Sequence, residues 1–190
     1  EHLPGAAVLL MKNGRVIFRK GYGLATRRDL APIGPDNTFH IGFLTEQFTA
    51  AAVLKLVEDG KVDLQAPASR YLEALPAAWK AVTVEQLLAH TSGLPDYLVA
   101  LFVRIKRNEP CDPATLVDDY VRTLPLDFEP GTQRRFSNTG YILLGQIIEK
   151  VSGQGYPAFI QQRLLTPLGM KHTHGDPEHD PALATTLGTN

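Results

Sequence analysis

The chain has 190 residues, enough for one sizeable domain with a real core. Hydrophobic residues make up 44% and charged residues 21%, an ordinary globular balance that argues against a mainly disordered chain. A formal net charge of -1 argues against a nucleic-acid surface, and the short basic stretches "RRDL" and "QRR" read as solvated loops.

In chain order, "GAAVLLMKNGRVIFRKGYG" predicts two strands joined at Asn13-Gly14, a pair that tolerates the positive φ angles of a tight hairpin. The first strand, Ala6 to Met11, is nearly all apolar, which predicts cover on both faces. "GYG" at 21–23 has no following helix and lysine, so it ends a strand and is not a phosphate loop. The proline- and glycine-containing segment "TRRDLAPIGPDN" predicts a polar loop.

The segment "FHIGFLTEQFTAAAVLKLVEDG" predicts a helix. Phe48, Ala52 and Leu56 share a stripe with Ala51, Val53, Leu54 and Val57 beside it, a pattern suited to burial, and Gly60 is placed to cap its end. Thr83 starts "TVEQLLAH", and Gln86 stands three residues on, as a capping box requires; Gly93 and Pro95 end it. Asp112-Pro113 opens a third helix to about Leu124. Asn138 is expected to cap "TGYILLGQIIEKVSG", whose Tyr141, Leu144, Ile148 and Val151 lie on one face. Pro157 begins a last short helix to about Leu165, and the final twenty residues are polar and irregular.

No apolar run approaches the roughly 18–20 residues of a membrane-spanning helix. Cys111 is the single cysteine, so no internal disulfide forms, and no histidine follows nearby to make it a nucleophile. His172, His174, Asp176, His179 and Asp180 are metal-capable by type, but their segment reads as a polar tail and no metal or cofactor is expected. Two strands alone make no stable sheet, so the hairpin is expected either to join strands from a missing C-terminal part or to lie on the helices.

Four segments in order carry a family resemblance. They are "FHIGFLTEQFTAAAVLKLVEDGKVDL", "VTVEQLLAHTSGLPDY", "FEPGTQRRFSNTGYILLGQIIEKVSG" and "PLGMKHT". Together they resemble the class C serine β-lactamases, the penicillin-binding proteins and related esterases and D-aminopeptidases, over most of residues 5–175. The resemblance implies an α/β, β-lactamase-like fold: one domain over 1–190, incomplete at the C-terminus. Residues 1–42 would form the hairpin and entry to the site, 43–175 the helical lobe and 176–190 the tail. It also implies an exported or cell-envelope setting.

In that family a serine at the start of a helix is activated by a lysine one turn later, on the same face, with a tyrosine from a Y-x-N loop sharing the proton transfer. Carried over by position, the serine site is Phe43, the lysine site Glu46 and the tyrosine site Phe136, while Asn138 fits the third residue of Y-x-N. No K-T-G or H-x-G segment follows. A phenylalanine side chain has no transferable proton and no lone pair, so it cannot be acylated. Around these positions Ile41, Gly42, Leu44, Thr45, Gln47 and Phe48 still read as the family does. Phe43 reads either as a plug in the old pocket or as core filling.

The remaining cleft candidates are Thr45, His90, Ser92, Arg134, Arg135 and Ser137. Arg134 or Arg135 is expected to pair with Glu46, against the competing reading of a solvated glutamate favoured by the helix dipole. His90 is a candidate general base for Ser92 or Ser137, against the reading of a histidine that satisfies helix carbonyls. Two functions follow. One is a non-catalytic homologue that binds a small peptide, a β-lactam-like ligand or a protein at the former cleft. The other is a hydrolase of amide or ester bonds that uses non-standard residues or a missing segment. A further reading has two copies, or a copy and a complementary C-terminal fragment, pairing through the hairpin edge.

Overall fold

Asn13 and Gly14 take φ angles of 50° and 73°, which closes a hairpin between β1 (Gly5–Lys12) and β2 (Arg15–Gly23). The strands pair antiparallel, Gly5 opposite Gly23 and Leu10 opposite Phe18, with an irregularity at Leu10/Met11 that shifts the register by one residue. The computed structural model describes residues 5–25, 31–34, 37–106, 117 and 121–175. Two units divide the chain, Glu1–Phe39 and His40–Asn190.

In the first unit, Ile33 N–H donates to Gly23 O at 3.0 Å and Ala25 N–H to Ala31 O at 2.7 Å, so the chain after β2 turns back along the strand. Gly21 permits this approach, since a Cβ there would meet the Ile33 carbonyl oxygen at 1.9 Å. The expected cover on both faces of β1 is not what the structure shows. Leu9, Leu10, Met11 and Ile17 are each more than half exposed. Alternate residues of a strand point to opposite faces, and the described residues of this unit supply no second layer for either face. The apolar run thus marks the strand correctly but not its surroundings.

The second unit is helical. A 3₁₀ turn, Gly42–Thr45, leads directly into α1 (Glu46–Glu58). Thr49, Ala52, Val53 and Leu56 form its buried face, Leu54 is 46% exposed, and Gly60 at φ 70° follows the helix end as expected. Thr83 and Gln86 form the anticipated capping box of α2 (Val84–Leu88): Gln86 N–H donates to Thr83 Oγ1 at 3.2 Å, and Thr83 N–H to Gln86 Oε1 at 3.0 Å. The end of α2 comes earlier than Gly93, at a left-handed His90 (φ 58°).

A helix absent from the sequence expectations follows, α3 (Tyr97–Lys106), whose start is capped by Asp96 Oδ1 accepting from Leu98 N–H at 3.0 Å. The helix expected from Asp112 and the single cysteine lie outside the described residues, apart from helical, buried Val117; Val121–Thr123 form a 3₁₀ turn.

The long helix α4 (Asn138–Ser152) packs against α1, α2 and α5 (Tyr156–Ile160), which runs on into a wider turn, Gln161–Leu165. Its Ile142, Leu143, Leu144, Ile147 and Ile148 are fully buried, with Trp79, Leu87 and Leu56 in the same core. The predicted cap is displaced by one residue. Ser137 is the N-cap and makes no side-chain cap bond, while Asn138 is the first helical residue. Residues 176–190 are outside the described set, and with them Asp176, His179 and Asp180. Among the described residues no three His, Cys, Asp or Glu side chains gather as a metal site would need, and no helix is long and apolar enough to cross a membrane.

Candidate functional site

The site is built where α1 begins, where α2 ends and where α4 begins. Phe43 sits in the 3₁₀ turn and Glu46 opens α1, and in such a turn residues three apart share a face. Phe43 is 52% exposed, so it fills no core. Its ring meets Phe136 edge to face, centroids 5.4 Å apart at 81°.

His90 is the hub. Its backbone carbonyl accepts from Arg135 N–H at 2.9 Å, tying the end of α2 to the loop before α4. Its ring centroid lies 4.7 Å from that of Phe136 and 5.1 Å from that of Tyr141. Nδ1 accepts the Ser137 backbone N–H at 3.3 Å, an assignment that places the ring hydrogen on Nε2, where it faces Glu46 Oε2 at 3.3 Å. Imidazole and carboxylate are both largely withdrawn from water, at 8% and 19% side-chain exposure.

This geometry corrects two expectations. Glu46 pairs with His90 rather than with an arginine: Arg135 Nη1 bonds Asp127 Oδ2 at 3.0 Å with its guanidinium 5.6 Å from the Phe128 ring, and Arg134 is exposed. Arg135 is turned toward acidic and aromatic neighbours of its own loop. Nor does either serine hydroxyl engage His90. Ser92 Oγ accepts Leu94 N–H at 3.3 Å within its own turn, and Ser137 meets the imidazole through its backbone N–H alone.

Of the other candidates, Asn138 Nδ2 donates to Asp96 Oδ2 at 2.9 Å, joining α4 to the start of α3. Thr45 Oγ1, Glu46 Oε1 and Ser137 Oγ are buried without a hydrogen-bond partner among the described residues. Tyr141, which the sequence marks only as a face residue, belongs to the site. It lies three residues after Asn138, a spacing that turns both toward the same side of α4. Its hydroxyl donates to Leu88 O at 3.1 Å. Burial, and secondly the Glu46 carboxylate, push this phenol up to about 12.

The sign of that shift gives a pH prediction. A tyrosine raised in the folded state contributes stability that is complete below its unfolded value near 10 and is lost as pH rises through about 12. Denaturation curves from pH 9 to 12 should therefore show a falling stability, and Tyr141→Phe should flatten that fall. An unchanged slope in the variant would refute the assignment.

The fold is the helical lobe of the β-lactamase and penicillin-binding-protein class, joined in sequence to a small two-stranded sheet. The chain belongs to the Beta-lactamase family, whose model matches residues 1–189. It is 33% identical over 179 residues to Protein flp of Staphylococcus aureus (strain MW2), covering 90% of this chain and 35% of that protein. The chain thus spans about a third of the length of the curated relatives it matches. Among solved structures it is similar to the octameric penicillin-binding protein homologue from Pyrococcus abyssi. The TM-score is 0.77 at 34% identity, covering 88% of this chain and 40% of that one. It is also similar to the D-amino acid amidase from Ochrobactrum anthropi SV3 complexed with L-phenylalanine, with a TM-score of 0.76 at 30% identity, covering 94% of this chain and 50% of that one.

Proposed function

We propose that this chain is a non-catalytic member of the family, one that binds a small peptide or β-lactam-like ligand where relatives form an acyl-enzyme. The observation that carries the reading is the occupation of His90. Both ring nitrogens are engaged, one by Glu46 and one by the Ser137 backbone, so His90 takes up no serine hydroxyl as its base. Phe43 at the position the resemblance assigns to the nucleophile supports the same conclusion. The alternative, hydrolysis of an amide or ester bond by this chain, draws support from its likeness to a D-amino acid amidase. It requires a hydroxyl within about 2.6–3.2 Å of a base, and neither Ser92 nor Ser137 is so placed.

Incubation with a chromogenic β-lactam and with a p-nitrophenyl ester, followed by intact-mass measurement, tests the choice. The expected result is no burst and no mass increase. A stoichiometric acyl adduct on any serine overturns the proposal.

A further inference from the structure

His90 is buried, and its two ring nitrogens play opposite parts. Nε2 carries the ring hydrogen and directs it to Glu46 Oε2 at 3.3 Å, while Nδ1 offers a lone pair to the Ser137 backbone N–H at 3.3 Å. The neutral ring thus ties the start of α1 to the start of α4. Only the neutral ring can do so. A second proton goes to Nδ1, the nitrogen that lacks one, and an N–H cannot accept from another N–H. Histidine is the side chain whose charge ordinarily changes between about pH 5 and 8.

The groups facing the ring decide which contact yields. From α1 comes the Glu46 carboxylate, which holds a charged imidazole more strongly than a neutral one. From α4 comes Tyr141, whose phenol, held up to about 12, stays neutral throughout this range. From the loop before α4 comes Phe136, and both aromatic rings stand close enough to favour a cation. The Arg135 guanidinium is bonded to Asp127. A charged ring is therefore held where it is, and Ser137 is the side that gives way. Ser137 is the extended N-cap of α4, at φ -149° and ψ 115°, and makes no side-chain cap bond. An acceptor for the new hydrogen belongs to the residue that withdraws: Ser137 Oγ is buried without a hydrogen-bond partner among the described residues.

We propose that His90 is a proton-operated latch at the cleft: neutral, it holds Ser137 to the turn after α2; protonated, it keeps Glu46 and releases the Ser137 N–H. The proton comes from solvent and rests on Nδ1. The bond from Arg135 N–H to the His90 carbonyl does not involve the ring, so the release is confined to Phe136 and Ser137, the segment that bears on Phe43. This regulation goes beyond ligand binding and holds whether the cleft binds or reacts, so an acyl adduct would leave it standing.

The test is nuclear magnetic resonance of the intact chain from about pH 8 to pH 5, reading the His90 ring nitrogens and amide hydrogen exchange. At pH 8 Nδ1 should be unprotonated and the Ser137 amide protected. As the ring takes up its proton, protection at Ser137, corrected for the intrinsic pH dependence of exchange, should fall by roughly tenfold. The Arg135 amide should keep its protection. His90→Asn, which does not titrate and tolerates the left-handed backbone, should make Ser137 protection independent of pH. Four results would each overturn the latch: a proton on Nδ1 at pH 8, a ring still neutral at pH 5, equal losses at Arg135 and Ser137, or an unchanged pH response in His90→Asn. Should that variant not fold, the comparison of Ser137 with Arg135 in the unaltered chain decides alone.

Discussion

Gly93→Ala should lower the stability of the helical unit by about 3–5 kcal/mol or prevent its folding, as measured by urea denaturation. Gly93 has φ 74°, a conformation that costs an alanine roughly 1–2 kcal/mol. The greater part of the loss is steric. A Cβ at this position would meet the Phe128 carbonyl oxygen at 2.2 Å and its carbon at 3.2 Å, and that neighbour is backbone, which cannot rotate aside.

Three backbone bonds make the approach obligatory: Asp127 N–H to Gly93 O at 2.8 Å, Gly131 N–H to Thr91 O at 2.8 Å, and Arg135 N–H to His90 O at 2.9 Å. They lay the turn after α2 along the loop that delivers Phe136 and Ser137. The substitution therefore strikes the joint that assembles the site. Gly153→Ala is the matched control. Gly153 has φ 70° in the same unit, but nothing lies within 4 Å of its would-be Cβ, so only the conformational cost of roughly 1–2 kcal/mol should be lost. Equal losses at the two positions would show that conformational preference, not packing, governs Gly93.

Part of this arrangement is legible in the amino-acid letters. Capping chemistry is local, so Thr83 with Gln86 and the Asn13-Gly14 turn follow from neighbours in sequence and are found there. Phe43, Glu46 and Phe136 stand out by position in a family pattern, and the structure gathers them around His90. The identity of Glu46's partner is not legible. An arginine next to Phe136 is a sensible choice by charge, but the outcome depends on which way a loop turns its side chains, and Asp127 takes Arg135. Likewise His90's role follows from a left-handed backbone after α2, a conformation uncommon outside glycine that no periodicity announces. The exposure of β1 escapes a sequence reading for a related reason: an apolar pattern states a preference, and the layer that would meet it is not local.

His90→Ala should cost about 2–4 kcal/mol, and most of that cost should vanish when Glu46 is truncated as well. The single change removes the acceptor of Ser137 N–H and the donor to Glu46 Oε2, and it removes the ring that both Phe136 and Tyr141 pack near. A carboxylate at 19% exposure is then left with neither oxygen paired, since Oε1 has no partner even in the intact site. Glu46→Ala in the same background removes that stranded group. The cycle His90→Ala, Glu46→Ala and the double variant should therefore yield a coupling of about 1–3 kcal/mol. The lost ring packing and the Ser137 bond appear in both arms that lack His90 and cancel. Strict additivity would mean that water already satisfies Glu46 and that the imidazole is only a spacer. A large coupling would mean that the carboxylate is held in place by the histidine.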